Sequence, residues 1–218
     1  KPDLIIPQAV AWAEQPWAAD LVKQGWPIFS PVGDAMRIEI SRQESSVLCR
    51  QYGIPVPAFH HVQNRIEARR LMQEDPRPYV LKNPICSPFS PIHAIICESP
   101  EDTLGWIERV DYAEGLFLQE YLGKEEAGHF VFISGGEIRS LVTNQEYKRA
   151  FTGDMGPLAG APLAGIVEQD PDDKFGLAQE LIHPLKPWFE KTGYNGPLQV
   201  TAIRKEGTWH AIEYNIRL

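Results

Sequence analysis

The last residues of the chain carry polar side chains whose spacing suits a divalent cation. Glu213 and Asn215 lie two residues apart, so on a strand they point to the same face. Magnesium prefers oxygen ligands combined with phosphate oxygens and water, which makes this pair a candidate metal site. Arg217 continues on that face and can contact a phosphate. The competing interpretation is the solvated polar face of a hairpin, since such alternation is common in half-exposed sheets.

Cations follow two predicted strands earlier in the chain. Lys82 ends the apolar run Tyr79-Val80-Leu81 and can reach a phosphate as a point charge. Lys148 and Arg149 follow a second strand and precede a glycine-rich stretch, where adjacent cations can cradle phosphates. A strand-end lysine and a surface Lys-Arg pair are also common without any ligand, so neither position alone decides the function.

The segment between these cations can recognise a nucleoside. Each backbone unit of Leu118-Gln119-Glu120-Tyr121-Leu122 offers one donor and one acceptor, which can bond an adenine edge if the strand borders a cleft. Glu125 and Glu126 follow, and a carboxylate there can accept hydrogen bonds from ribose hydroxyls. The competing interpretation is a core strand followed by an acidic turn.

Helices and hairpins must position these residues. Capping patterns predict the starts of three helices, at Ser41 with Glu44, at Asn64 with Glu67, and at Ser99 before Pro100. Glycine pairs and glycine-containing turns at 135–136 and 205–207 predict two hairpins. The stretch from Phe151 to Gly165 is predicted to be a loop. A helix from about residue 172 to 192 should be kinked or divided by Pro184 and Pro187. Residues 1–31 alternate strand, helix and strand, as in a βαβ unit.

Composition narrows the class of protein. The net charge of −8 disfavours nucleic-acid binding, which needs a basic face. Three widely spaced cysteines argue against a disulfide scaffold and a four-thiolate zinc site, and they fit a reducing, cytoplasmic location. No apolar run approaches the roughly 20 residues that cross a bilayer, so no membrane partner is expected. The first and last residues suggest that both ends are cut from something larger.

Several short motifs follow one another in a collinear order that covers nearly the whole chain. They are Ile38-Glu39-Ile40-Ser41-Arg42, Val80-Leu81-Lys82, Glu120-Tyr121-Leu122, Glu125-Glu126, Gln145-Glu146-Tyr147-Lys148-Arg149, Gly153-Asp154-Met155-Gly156-Pro157 and Glu213-Tyr214-Asn215-Ile216-Arg217. In this order the sequence resembles phosphoribosylamine–glycine ligase and the wider ATP-grasp superfamily. The order is more specific than any one motif.

The resemblance implies a role for each matched residue. ATP would be contacted by Lys82 at the α- and β-phosphates, by Glu120, Tyr121 and Leu122 at adenine, by Glu125 and Glu126 at the ribose, and by Lys148 near the phosphates. Arg217, with Lys148, would act in catalysis by neutralising the transferring phosphoryl group. Glu213 and Asn215 would bind Mg²⁺, with Mn²⁺ as a possible substitute.

The resemblance also implies the architecture and the reaction. The fold class is α+β, an ATP-grasp fold of two α+β lobes around a cleft, preceded by the tail of a parallel α/β domain. Residues 1–40 would form that tail, 41–122 the smaller lobe, and 123–218 the larger lobe with the nucleotide and metal site. The expected activity is ATP-dependent joining of a small carboxylate and an amine through an acyl phosphate, and an oligomer is possible.

Three departures from the family leave an alternative open. The segment 83–93 contains no glycine or lysine but three prolines, so it donates fewer amide hydrogen bonds to a phosphate. Gly156-Pro157-Leu158-Ala159-Gly160-Ala161 lacks the asparagine and threonine that would hold a phosphoribosyl substrate. Gln199 stands where some ATP-grasp enzymes have another metal carboxylate. The alternative is a degenerate ATP-grasp module that binds nucleotide or a partner without turnover.

Overall fold

The computed structural model describes residues 2–7, 9–13, 15–86, 94–153, 155–158 and 164–217. The helices are α1 (Val10–Ala13), α2 (Pro16–Lys23), α3 (Arg37–Ile40), α4 (Arg42–Gln51), α5 (Arg65–Glu74), α6 (Pro100–Ile107), α7 (Leu177–Leu181) and α8 (Lys186–Thr192). The strands are β1 (Phe59–Val62), β2 (Tyr79–Lys82), β3 (Ile95–Ile96), β4 (Leu116–Glu120), β5 (Glu126–Ser134), β6 (Glu137–Tyr147), β7 (Arg149–Phe151), β8 (Met155–Leu158), β9 (Ala164–Gln169), β10 (Gly196–Lys205) and β11 (Thr208–Asn215).

The small lobe is a four-stranded antiparallel sheet covered by two helices. Its strand order is β1-β4-β2-β3, and α5 and α6 pack on one face. Along β2 the side chains alternate: Tyr79 and Leu81 join the core under the helices, while Val80 and Lys82 face the other way. This alternation presents Lys82 on the face of the sheet that borders the second lobe.

The large lobe is a five-stranded antiparallel sheet in the order β11-β10-β5-β6-β9. Leu198, Val200 and Ala202 of β10 lie in its core, together with residues of α7 and α8. The opposite face of β10 carries Gln199 and Ile203. This second face is the one that borders the small lobe.

Local signals in the sequence correctly placed most helix starts and hairpins. The side chains of Ser41, Asn64 and Ser99 each accept a hydrogen bond from the backbone N–H three residues on, which caps α4, α5 and α6. Gly135 and Gly136 both have positive φ in the β5–β6 turn, which is the conformation a two-residue hairpin requires. The predicted proline division is confirmed by a 3₁₀ turn at His183–Leu185 between α7 and α8.

The predicted loop over 151–165 is wrong where strands form within it. Strands β7 and β8 pair as a separate two-stranded sheet, and β9 begins at Ala164. Gly156 makes the β7–β8 pairing possible because it has a φ of +85° and packs against the ring of Phe151. Residues 154 and 159–163 lie outside the described part of the chain.

Residues before the first sheet form a small parallel pairing. Ile5 and Ile28 pair in parallel, with α1 and α2 between them, as the βαβ pattern predicts.

Further on, Cys49 and Ile54 are buried in the large-lobe core, whereas the small-lobe sheet begins at Phe59. The predicted divisions at 1–40, 41–122 and 123–218 stay predictions. Within the described segments, no helix combines the length and hydropathy needed to cross a membrane.

Candidate nucleotide site

An open cavity of about 920 Å³ lies between the two sheets. Apolar side chains of both lobes line part of it, among them Val80, Ile203 and Ile212. Its charged side chains are Arg42, Lys82, Lys124, Lys148, Arg149, Glu120, Glu126, Glu146 and Glu213. Cations outnumber carboxylates in this lining, in contrast to the net charge of −8 for the whole chain.

A β-bulge shapes one wall of the cavity. Thr201 pairs with Glu213 and Ala202 with Ala211, so Ile212 is an extra residue in β11. Because of this extra residue, both Ile212 and Glu213 line the cavity instead of pointing to opposite faces. The bulge therefore places an apolar side chain and a carboxylate next to each other in the same wall.

Lys82 is a buried cation in the small-lobe wall. Its side chain is 5% exposed, and Nζ donates a hydrogen bond of 2.9 Å to Oε1 of Gln119. Burial, assisted by repulsion from Arg42, lowers the pKa of Lys82 to about 8. Carboxylates of Glu213 and Glu126 oppose that shift only in part. Lys82 is thus an incompletely neutralised cation at the edge of the cavity.

Lys148 is the second cation and is held by two carboxylates. Its Nζ lies 2.9 Å from Oε1 of Glu126 and 3.1 Å from Oε2 of Glu146. Burial lowers the pKa of Lys148, but Glu126, Glu213 and Glu146 outweigh burial and raise it above its ordinary value. Lys148 therefore keeps its charge at any physiological pH, and its position between strands is fixed by the paired carboxylates.

Glu213 sits where the cations of both lobes converge. Arg42 Nη1 is 3.6 Å from Oε2 of Glu213. Burial raises the pKa of Glu213, yet attraction from Lys82, Arg42 and Lys148 outweighs it and lowers the pKa overall. The side chain is 31% exposed, and that exposure is to the cavity because the residue lines it. Glu213 is therefore an ionised carboxylate facing the cavity.

Glu120 lines the cavity where the chain passes from one lobe to the other. Its carboxylate is 3.1 Å from Arg77 Nη1 and 3.2 Å from Lys205 Nζ, so it joins the two lobes. Burial raises the pKa of Glu120, but the hydrogen bond and charge of Lys205 reverse this effect and lower it. Among the described residues, no backbone–backbone hydrogen bond involves Leu122, which lines the cavity.

The structure brings most, but not all, of the predicted site residues together. The cavity is lined by Lys82, Glu120, Tyr121, Leu122, Glu126, Lys148 and Glu213. Glu125 is exposed and does not line it. Asn215 lies beyond Glu213, in an adjoining hollow of about 430 Å³. Arg217 pairs with the buried Glu39 at 3.1 Å and donates to Asn215 Oδ1 at 3.3 Å, away from the main cavity. The roles assigned to all of these residues stay predictions.

Two charged residues of the cavity, Arg42 and Glu146, were not predicted as site residues from the sequence. Arg42 begins α4, and its guanidinium is fixed by a hydrogen bond of 3.0 Å from Nε to the carbonyl of Asn83. Glu146 accepts hydrogen bonds from Asn144 and Gln199 as well as pairing with Lys148. In the sequence, Arg42 could have been identified by its position at the end of the motif Ile38-Glu39-Ile40-Ser41-Arg42. Glu146 could have been identified by its spacing of two residues from Lys148.

The glycine-free segment that follows Lys82 is described only at its start. Backbone hydrogen bonds join Arg42 N–H to the Pro84 carbonyl at 3.1 Å and Cys86 N–H to the Ile40 carbonyl at 2.8 Å. These bonds attach residues 84–86 to the beginning of α4. The remainder, 87–93, including His93, lies outside the described residues.

Known proteins share both this sequence order and this fold. No protein-family model matches the chain. Phosphoribosylamine–glycine ligase of Ralstonia nicotianae is 26% identical over 227 residues, which covers 96% of this chain and 53% of that protein. The chain thus spans about half the length of the curated relatives it matches.

Solved structures superpose on nearly the whole chain. Phosphoribosylamine–glycine ligase of Thermotoga maritima gives a TM-score of 0.71 at 24% identity, covering 94% of this chain and 54% of that one. D-alanine–D-alanine ligase of Bacillus anthracis complexed with ATP gives 0.64 at 16% identity, covering 98% and 67%. The chain therefore has the ATP-grasp fold, and its sequence resembles that of phosphoribosylamine–glycine ligase.

Proposed function

We propose that the cavity binds ATP with magnesium and that the protein is an ATP-dependent ligase joining a small carboxylate to an amine. The observation that carries this proposal is the convergence of Lys82, Lys148 and Glu213 on one cavity, although they are far apart in sequence. Buried charged groups with shifted pKa values that face one cavity are typical of functional sites. The proposed substrates are small molecules, because these residues line a concave cavity in which apolar side chains surround a few charged groups.

The distribution of polarity along the cavity matches the parts of a nucleotide. The base would lie against Val80, Ile203 and Ile212, with its edge facing the backbone near Leu122. Glu126, beside Lys148, can accept hydrogen bonds from the ribose hydroxyls. Phosphates would lie toward Lys82, Lys148 and Arg42. Their negative charge is then met by a local excess of cations in an otherwise acidic protein.

The proposed chemistry has two steps. An oxygen of the carboxylate substrate attacks the γ-phosphorus of ATP, the bond to the β-phosphate oxygen breaks, and an acyl phosphate and ADP form. The amine nitrogen then attacks the acyl carbon, phosphate leaves, and the nitrogen loses a proton to give the amide. Lys82 and Lys148 stabilise the charge that develops during phosphoryl transfer, because they are held in place before the reaction.

A magnesium ion fits the donor set at the end of β11. Glu213 supplies an ionised carboxylate and Asn215 an amide oxygen, which matches the habit of magnesium to combine few protein ligands with phosphate oxygens and water. Several cations surround Glu213, so we expect the ion to enter with the nucleotide and not alone. When bound, it would supply neutralisation of the phosphate charge.

Calorimetric titration with Mg-ADP tests the binding part of the proposal. The substitution Lys148→Ala removes a charged hydrogen-bond donor worth about 1.5–3 kcal/mol, so we expect roughly 10- to 100-fold weaker binding. Arg70→Ala is the matched control, since Arg70 is an exposed cation on α5 that pairs with Glu74 in its own helix. Saturable binding with the expected loss only in Lys148→Ala supports the site. Equal affinities of both variants would exclude it.

Measurement of ADP release separates a ligase from a binding module. Turnover that requires a carboxylate and an amine together, and that Glu213→Ala abolishes, supports the ligase. Nucleotide binding without ADP release over a broad substrate panel would instead favour the degenerate module. The observation that favours the binding module is the absence of glycine from segment 83–93.

A further inference from the structure

Glu98 connects the small lobe to the other side of the cavity. It lies between β3 and α6, and its Oε1 is 2.8 Å from Arg149 Nη2 and 3.1 Å from Lys124 Nζ. Lys124 belongs to the connection from β4 to β5, and Arg149 begins β7. Both cations line the cavity. One carboxylate oxygen thus holds two cavity cations that come from different elements.

Arg149 extends this connection into the glycine-rich hairpin. Its Nη1 donates a hydrogen bond of 2.9 Å to the carbonyl of Gly156, and its own side chain is only 17% exposed. Strands β7 and β8 form a sheet of two strands whose Phe151 and Met155 are 64% and 62% exposed. A two-stranded hairpin is only marginally stable by itself. The bonds through Arg149 are therefore important for holding it in place.

We propose that Glu98 is a positioning residue that fastens hairpin β7–β8 to the small lobe and thereby slows the release of bound nucleotide. Glu98 is not among the described residues that line the cavity, so it acts through Arg149 and Lys124. The effect on nucleotide release rests on the proposed function, whereas the fastening of the hairpin does not. The two parts can therefore fail separately.

Two opposite signs distinguish this role from simple electrostatics. Glu98→Gln removes a negative charge beside the cavity, and charge alone predicts tighter binding of an anion. Loss of the fastening predicts the reverse, because the hairpin moves away more often and the nucleotide leaves faster. Release that is faster in Glu98→Gln supports the fastening, and release that is unchanged or slower overturns the nucleotide part of the proposal.

Hydrogen exchange in the nucleotide-free protein tests the fastening by itself. In Glu98→Gln we expect amides of residues 149–158 to exchange about three- to tenfold faster, as suits the loss of two partly exposed ion pairs. Glu74→Gln is the matched control, because it breaks the exposed Arg70–Glu74 pair of 2.7 Å on α5. Unchanged exchange in residues 149–158 overturns the fastening, whatever the protein binds.

Stopped-flow release of a fluorescent Mg-ADP analogue tests the consequence for nucleotide. Glu98→Gln should release it about three- to tenfold faster than the wild type and than Glu74→Gln.

Arg149→Gln breaks the same connection, so the double variant should exchange its hairpin amides no faster than Arg149→Gln alone. Additive effects on exchange would overturn the coupling. If the wild type binds no nucleotide, the proposed function fails while hydrogen exchange still decides the fastening.

Discussion

Raising the pH from 7 to 9 should weaken the binding of Mg-ADP by removing the charge of Lys82. Burial and the nearby Arg42 lower the pKa of Lys82 to about 8 in the nucleotide-free protein. A bound phosphate favours the charged lysine, so the complex keeps its proton at a pH where the free protein has lost it. Binding above pH 8 must therefore include the uptake of a proton.

The size of the effect follows from that pKa. Lys82 is about nine-tenths charged at pH 7 and about one-tenth charged at pH 9, so the affinity should fall about tenfold, or about 1.4 kcal/mol. The phosphates of ADP contribute little, because their last protons leave near pH 6. Lys148 contributes nothing in this range, since its neighbouring carboxylates raise its pKa further above 9.

Calorimetry at pH 7, 8 and 9 in buffers of different ionisation enthalpy measures both the affinity and the proton uptake. The variant Lys82→Met should bind more weakly at pH 7 and show neither the pH dependence nor the uptake. A wild-type affinity that stays constant from pH 7 to 9 would contradict this prediction, because a lysine in contact with the phosphates would then have to titrate outside this range.

Three further predictions concern stability. In Gly128→Ala the new Cβ would lie 2.3 Å from Oδ1 of Asn144, so urea denaturation should show a loss of about 1–3 kcal/mol, and wild-type stability would contradict the described packing. Ser41→Ala removes the cap of α4 and should cost about 0.5–2 kcal/mol in the same assay; no loss would mean that the cap is unimportant. Burial lowers the pKa of His129 below its unfolded value near 6.5, so the unfolded chain binds more protons and the free energy of unfolding should fall as the pH drops from about 7 to 5. His129→Gln should have a flatter slope over this window, and an unaltered slope would assign it to other groups.

Short-range features of this fold were accessible from the sequence. A capping residue or a hairpin turn forms its hydrogen bonds with residues only a few positions away. The roles of Ser41, Asn64 and Gly135 could therefore be predicted without knowing the rest of the chain. The alternation of a strand likewise placed Glu213 on the face opposite the buried Tyr214. These predictions hold because the physical cause and its effect are neighbours in sequence.

Features that depend on contacts between distant segments could not be predicted from the sequence. The bulge at Ile212 depends on how β10 and β11 pair, and the type of residue at position 212 does not indicate a bulge. The ion pairs of Glu98 depend on contacts between the small lobe and β7. The hairpin at β7–β8 forms although its glycines and proline favour a loop, because Arg149 bonds across it. Each of these features belongs to a pairing between segments distant in sequence.

The predicted site divides along the same line. Lys82, which ends β2, and Lys148, which follows β6, both line the cavity. Glu125 does not, since its carboxylate is exposed while its backbone carbonyl bonds to Arg204. Arg217 is held by the buried Glu39, whose pKa is raised by burial and which also accepts from the Ile216 N–H. A motif match identifies such residues but does not fix where their side chains point.

A crystal structure of the protein grown with Mg-ADP would show whether the nucleotide lies in the cavity between the lobes. We expect the adenine edge at the backbone of residues 120–122, the phosphates beside Lys82 and Lys148, and the metal ion at Glu213. A nucleotide bound elsewhere, or a cavity that remains empty at saturating Mg-ADP, would contradict this expectation.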